Sequence, residues 1–586
     1  MQFGHINRKI IINIMLLGNT SLVSTKNKEC QRDSMLRSKK VDWKSILAYF
    51  IVGLFLFGTA AGGIIYSIKF TNGMKYPIIP RPSILEPQPG TLVITKDFSI
   101  FADNSSHKVT EIAEYFAEKL GSSLGCDIEI RNTSTIYTDS DLILLLSPSS
   151  EELGDEGYYL IINETTIEIS AKKPVGLFYG IQSLIQLFPP SIQKINGLLD
   201  TEVFNIPCVK IQDSPRFPYR GMHLDVGRHF FSVEFIKKYI DLLAFYKYNS
   251  FHWHLTEDQG WRIEIKNYSL LTEIGAYRVD EHGAIYGGFY TQEEIREVVE
   301  YATKRYITVI PEIEMPGHSK AALASYPNLS CTGGPFNVSN TWGVHKDVFC
   351  AGNEEVFDFL ETVLLEVMDL FPSQYIHIGG DECPKTRWEE CPKCQARIVN
   401  EGLHNEYELQ SYFISRISNF VQSHNRSIIG WNEIIEGGLV ENATVMAWND
   451  WVAAADAARS HHDVIMTPTQ YCYFDYYQGN PFTEPKAIGG LITLSKVYKF
   501  EPIPPDLNEE EAQFIIGAQG NVWTEYIDTP EYVEYLSVPR MCALSEVVWT
   551  EPIQKNWRNF QIRLSKNLEF LDEMGVSYRS TSFFLL

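Results

Sequence analysis

A chain of 586 residues with a formal net charge of -23 is too long for one ordinary domain and suits two globular units plus additional segments. The acidity argues against nucleic acid as a partner, because binding a polyphosphate needs basic patches. It says nothing about fold.

The chain opens on a segment rich in cations: Lys26, Lys28, Arg32, Arg37, Lys39, Lys40 and Lys44. Met35 offers an alternative start within it, and the apolar run Ile10 to Leu17 is too short to span a bilayer. Ile46 to Ile68 then carries no charge and is long enough to cross one. The basic excess on its N-terminal side predicts residues 1–45 as a cytosolic tail, 46–68 as a transmembrane signal anchor, and the rest of the chain in a lumen or outside the cell. The expectation is a single-pass type II membrane protein of a lysosome-like endomembrane or the cell surface. Asn104, Asn132, Asn163, Asn267, Asn328, Asn337, Asn425 and Asn442 each open an Asn-X-Ser/Thr triplet after the anchor, as that orientation requires.

Residues 69–90 contain Pro77, Pro80, Pro82, Pro87 and Pro89 and read as a linker. A small α/β domain is expected over 91–208. Thr91 to Phe101 reads as a strand, Val109 to Leu124 as an amphipathic helix, and Leu142 to Leu146 as a buried strand. Tyr158 to Ile162 and Thr166 to Ser170 can pair as a hairpin, and Gly176 to Phe188 is a second helix. No acid–base constellation falls here.

From residue 209 to 586 strands alternate with helices. The expected strands are 219–226, 250–256, 307–313, 375–380, 427–432, 443–448, 463–467 and 515–522. Ser232 can cap one helix, and Thr291 with Glu294 has capping-box spacing before another. Eight such units predict a (β/α)8 barrel, a fold that places its chemistry at the C-terminal strand ends. Polar clusters stand at those ends: Asp225 and Arg228, His254 to Asp258, Glu312 to His318, Asp381-Glu382, Trp431 to Glu433, Trp448 to Asp450, Tyr473 to Asp475, and Trp523 to Glu525.

The stretch Tyr375 to Glu382 is the most informative of these. Two glycines remove side chains at a strand end, so a ligand can approach the backbone closely. Alternation along the strand lets the adjacent Asp381 and Glu382 take different roles, one donating a proton and one staying ionised. Cys331 and Cys350 bracket a Gly-rich loop and could form a disulfide in an oxidising lumen. Cys383, Cys391 and Cys394 have a spacing that can hold a metal. With no second Cys-X-X-Cys or paired His nearby, a loop-bracing disulfide or plain thiols is the expectation.

The motifs PRFPYRGMHLDVGRHF (215–230), FHWHLTEDQGWRIEI (251–265), VIPEIEMPGHSKAAL (309–323), YIHIGGDE (375–382), GWNEI (430–434), YFDYY (473–477) and VWTE (522–525) together resemble glycoside hydrolase family 20, the β-N-acetylhexosaminidases. The resemblance spans residues 90 to 580. It implies release of terminal β-linked GlcNAc or GalNAc from a glycan with retention of configuration, the substrate's own acetamido oxygen serving as nucleophile. Glu382 would be the general acid and Asp381 the carboxylate that holds the acetamido N–H. Tyr473 would hydrogen-bond the acetamido oxygen. Trp431, Trp448 and Trp523 would wall the sugar, while Arg220, Glu525 and Asp475 would bind its hydroxyls. His318 would support Glu382, backed in turn by Glu257. Here the family's usual Asp-Asp reads Glu257-Asp258, and Glu314 replaces another common Asp. His377 would lend further support, His252 would only pack in its strand, and no metal or organic cofactor is implied. Homodimerisation stays open. Two rival readings remain: a disaccharide-releasing relative such as a lacto-N-biosidase, and a non-catalytic glycan-binding surface protein.

Overall fold

The computed structural model describes residues 75–132, 141–193, 203–280, 282–438 and 440–580. The expected tail and anchor, 1–45 and 46–68, lie outside them. Among the described residues no helix is long and apolar enough to cross a membrane. The expectation of a type II membrane protein is corrected accordingly: it rested on a segment that the structure does not describe, and nothing in the described fold carries it.

The first unit is a seven-stranded sheet. Its strands are β1 (Ile84–Ile94), β2 (Ser99–Ala102), β3 (Glu129–Asn132), β4 (Asp141–Leu146), β5 (Tyr158–Ile162), β6 (Thr166–Ala171) and β7 (Phe204–Asp213), in the spatial order β1-β7-β5-β6-β4-β2-β3. The β5–β6 hairpin turns where expected, because the Asn163 side chain accepts from the backbone N–H groups of Thr165 and Thr166, both at 2.8 Å. Helix α1 (His107–Leu124) buries Val109, Ile112, Ala113, Phe116 and Leu120, one stripe at helical spacing. Helix α2 (Pro174–Ile185) is buried almost all round, so it lies between layers. The proline-rich stretch is no loose linker. Tyr76, Ile78 and Ile79 are buried, and Arg563 donates to the Ile78 carbonyl at 2.7 Å. Residues 84–90 belong to β1, which pairs with β7 at the sheet edge, where prolines are tolerated.

The second unit is a closed parallel barrel of β8 (Tyr219–Asp225), β9 (Ser250–His254), β10 (Thr308–Glu312), β11 (Tyr375–His377), β12 (Ser427–Trp431), β13 (Thr444–Ala447), β14 (Val464–Met466) and β15 (Ile515–Gly520), with β15 pairing back to β8. All eight expected strands form. Helix α3 (Val233–Phe245) starts at Ser232, whose hydroxyl accepts from the Phe235 N–H, and α4 (Gln292–Thr303) starts at a full Thr291/Glu294 capping box. Between β12 and β13 only a short 3-10 turn, Asn432–Ile435, replaces the helix. Inside the barrel Tyr219, Ile310, Ile429, Trp431, Met446 and Ile465 form a packed cluster. Each such side chain contributes about 1.5–3 kcal/mol by leaving water.

Candidate active site

Strand β11 stops at His377, before the carboxylates. Gly379 (φ 67°) and Gly380 (φ 94°) then take left-handed backbone conformations, and so does Glu382 (φ 44°). Side-chain alternation therefore does not govern the pair, contrary to the expectation from the sequence: a tight turn aims Asp381 and Glu382. A Cβ on Gly379 would lie 1.9 Å from a Glu314 carboxylate oxygen, so glycine is required there. A left-handed non-glycine costs about 1–3 kcal/mol and persists only where its surroundings impose it, commonly at functional sites. One such restraint is Gln410, which donates to the Gly380 carbonyl at 2.9 Å.

His318, itself left-handed (φ 47°), sits behind the pair. Its Nε2 is 3.6 Å from both Asp381 Oδ2 and Glu382 Oε2. Its Nδ1 bonds Glu257 Oε1 at 2.8 Å and lies 3.5 Å from Asp258. The longer Glu257 thus reaches the imidazole. Glu314 does not replace it: its two oxygens are buried without hydrogen-bond partners among the described residues. Burial opposes a charge on His318, but Glu257 and Asp381 outweigh it and hold its pKa well above the ordinary value. Burial likewise opposes ionisation of Glu257, yet Arg228 and His318 keep it well below the carboxylate range. Burial raises Asp381 to about 6 against the pull of His318. Glu382 is drawn down, chiefly by His318.

A second carboxylate, Glu312 at the end of β10, organises the floor of the site. It lies 2.9 Å from His252 and 2.8 Å from His377, contacts His254, and accepts from Trp431 Nε1 at 2.9 Å. His377 therefore supports Glu312 rather than Glu382, and His252 does more than pack within its strand. Glu312 has no counterpart among the site residues expected from sequence. Its place in the polar cluster after β10 was the only signal.

Arg220 is not at the site. It begins β8, at the opposite end of the barrel, and is fully buried. Its guanidinium pairs with Glu156 at 2.7 Å and donates to Tyr179, the Phe217 carbonyl and the Lys247 carbonyl. With the buried Lys247–Asp213 pair at 3.0 Å it locks the small domain to the barrel. The arginine at the mouth is Arg228, three residues beyond the end of β8. It reaches Asp225 at 3.3 Å, Glu257 at 3.2 Å and Glu525 at 3.9 Å, and its guanidinium lies 5.0 Å over the Trp523 ring.

The other expected residues do converge there. Trp431, Trp523 and Tyr473 lie within 6.5 Å of their neighbours by ring centroid, and Tyr473 stacks on Trp448 at 6.1 Å. Trp448 is fixed by donating to Glu433 at 3.0 Å. Asp381 Oδ1, Asp475 Oδ1 and Glu525 Oε2 are buried without hydrogen-bond partners among the described residues. Groups left so at a strand-end mouth suit a ligand carrying several N–H and O–H donors. A cavity of about 670 Å³ lies elsewhere, lined by Glu156, Tyr219, Ser250, Thr308, Tyr375 and Ile516. These mark the N-terminal strand ends, the face that carries stability rather than chemistry in this fold.

The expected Cys331–Cys350 disulfide is absent. Both are thiols, and they gather with Cys391 and Cys394, whereas Cys383 stands apart.

Comparison with known proteins agrees with this geometry. Residues 75–214 match the model of glycosyl hydrolase family 20, domain 2, and residues 217–552 match the family's catalytic domain. A beta-hexosaminidase of Porphyromonas gingivalis is 45% identical over 86% of this chain, which spans 64% of that relative's length. The crystal structure of a GH20 exo beta-N-acetylglucosaminidase from Vibrio harveyi in complex with N-acetylglucosamine superposes with a TM-score of 0.75 at 32% identity, covering 86% of this chain and 78% of that one. The GH20 beta-N-acetylhexosaminidase of Streptomyces coelicolor gives 0.77 at 29% identity, covering 87% and 98%. With both domain models matched in order and the acidic turn at the barrel mouth, the chain belongs to glycosyl hydrolase family 20 and is a glycoside hydrolase.

Proposed function

We propose that the chain is an exo-acting, retaining β-N-acetylhexosaminidase that removes terminal β-linked GlcNAc or GalNAc by substrate-assisted catalysis. One observation carries the reading: Asp381 and Glu382 both lie 3.6 Å from the same nitrogen, His318 Nε2. The shared imidazole couples the two carboxylates, which suits a pair in which Glu382 moves the proton while Asp381 holds the substrate's acetamide. The substrate's acetamido oxygen then attacks C1 while the C1–O bond to the leaving group breaks. Glu382 delivers its proton to the departing oxygen. Asp381 accepts from the acetamido N–H and stabilises the oxazolinium cation, and Tyr473 aligns the acetamido oxygen. Glu382 next takes a proton from water, whose oxygen attacks C1 and reopens the ring.

Ionised Glu382 beside charged His318 fits this scheme if the two are regarded as one titrating unit. The proton resides on His318 and passes to Glu382 when a sugar excludes water from the pair. Arg228, Asp475 and Glu525 would bind the sugar hydroxyls. The test compares hydrolysis of aryl β-GlcNAc, β-GalNAc and β-glucoside. The two N-acetyl sugars should be cleaved and the glucoside, lacking the acetamide, should not. Glucoside cleavage as fast as that of GlcNAc would overturn the mechanism.

A further inference from the structure

We propose that Cys331, Cys350, Cys391 and Cys394 form a tetrathiolate site for a structural zinc ion, which fastens the loop after β10 to the segment that follows the catalytic turn. The four sulfurs lie within 4.8 Å of one another. The separations are 3.8 Å for Cys331–Cys394, 3.7 Å for Cys350–Cys391 and 3.6 Å for Cys350–Cys394. A tetrahedron built on Zn–S bonds of about 2.3 Å has edges of about 3.8 Å. A disulfide needs about 2.05 Å. Cys350 is moreover almost equidistant from Cys391 and Cys394, so the set has a common centre instead of two preferred pairs.

The backbone is shaped to hold that centre. Cys391-Pro392-Lys393-Cys394 supplies two ligands from one turn, where Pro392 starts the short helix Pro392–Asn400. The other two come from a loop closed on itself by the Ser330–Phe349 bridge and by the Cys350 N–H donating to the Leu329 carbonyl at 2.9 Å. The Gly352 N–H is directed at the Cys350 sulfur. Gly352 also packs flat against the Lys393–Cys394 peptide, where a Cβ would fall 2.2 to 2.4 Å from backbone atoms. Thus the two ligand-bearing turns meet backbone to backbone, closer than any other residue allows.

Four protein ligands leave no open position for water, so the ion would be structural and not catalytic. Binding converts four thiols to thiolates and releases their protons. The chain connects the site to the acidic turn. Glu382 leads through Cys383 to Trp388, whose Nε1 donates to the Phe349 carbonyl at 2.9 Å, and Arg387 pairs with Asp347 at 2.7 Å. The ion would therefore help to hold Glu382 in its left-handed conformation.

The test is metal analysis of the full-length protein purified under reducing, chelator-free conditions. The expected content is about one zinc per chain, released as a mercurial titrates about four thiolates. Cys391→Ser and Gly352→Ala should each lose the zinc and melt at lower temperature. Protein stripped by a strong chelator should regain its melting temperature with zinc but not magnesium. If the variants do not fold, the wild-type stoichiometry decides. Zinc below a tenth of an equivalent after incubation with zinc salt, iron in its place, or non-reduced peptide mapping that finds any of the four in a disulfide would each overturn the proposal.

Discussion

Replacing Glu257 by glutamine probes how the proton is stored beside the acidic turn. Glu257 is buried and touches His318 at 2.8 Å, the Asp258 N–H at 2.9 Å, and His254 and Arg228 at 3.2 Å each. Glutamine keeps the shape but removes the anion that holds His318 charged. One hydrogen bond between charged groups contributes about 1.5–3 kcal/mol, which corresponds to about a ten- to hundred-fold loss in kcat. The loss should be larger for aryl glycosides with poor leaving groups, which need the proton most. The alkaline limb of the kcat–pH profile should move to lower pH, because His318 then releases its proton more readily. Stability should follow the same pair. His318, raised when folded, contributes below its unfolded pKa and loses that contribution as pH climbs through the raised value. Glu257, depressed when folded, contributes above its unfolded pKa and loses it as pH falls. The melting deficit of Glu257→Gln should therefore be greatest in the window between, from about pH 4.5 upwards, and narrow at both extremes. A folded variant with kcat within about twofold of wild type and an unmoved alkaline limb would refute the reasoning.

Four further outcomes are expected. Arg220→Met should lower the melting temperature, since it leaves Glu156 unpaired at a cost of about 3–5 kcal/mol in the buried limit, less here because Glu156 is partly exposed, with little change in KM for the enzyme that folds. Arg228→Met should also lower the melting temperature, because Asp225, Glu257 and Glu525 lose their shared cation, but unlike Arg220→Met it should raise KM; equal KM effects would undo the reassignment. Tyr473→Phe should lower kcat by about ten- to a hundred-fold on N-acetyl substrates with a small change in KM, measured by initial rates. Asp381→Asn should abolish most activity yet melt a few degrees higher at neutral pH. Burial lifts Asp381 to about 6 from its unfolded 3.8, so its ionisation costs stability that is progressively lost as pH rises between those values. The gain is at most about 3 kcal/mol and should vanish below about pH 4; a stabilisation independent of pH would count against this cause.

Much of the fold could be read locally. The eight barrel strands are short apolar runs bounded by turns, and the caps at Ser232 and Thr291 mark helix starts by side-chain chemistry alone. The proline-rich stretch misled because composition shows an inability to sit in a central strand but not the docking of Tyr76, Ile78 and Ile79. The exchange of Arg220 for Arg228 has a similar origin. Both arginines stand in one motif that contains the seven-residue strand β8, and only its direction separates them. The rule that barrel chemistry sits at C-terminal strand ends was enough to select Arg228, which follows β8 where Arg220 begins it.

The sequence by itself determined the barrel, the paired carboxylates, the aromatic residues at the strand ends and the family, because these depend on residue type and on spacings within a strand and its loop. Only the tertiary structure decided which residues meet across loops. It brought Glu257 to His318 over 61 positions and gathered three histidines on Glu312. It also drew Cys331 and Cys350 to Cys391 and Cys394. Such contacts depend on the closure of the barrel and the path of long loops, and no local pattern along the chain encodes them.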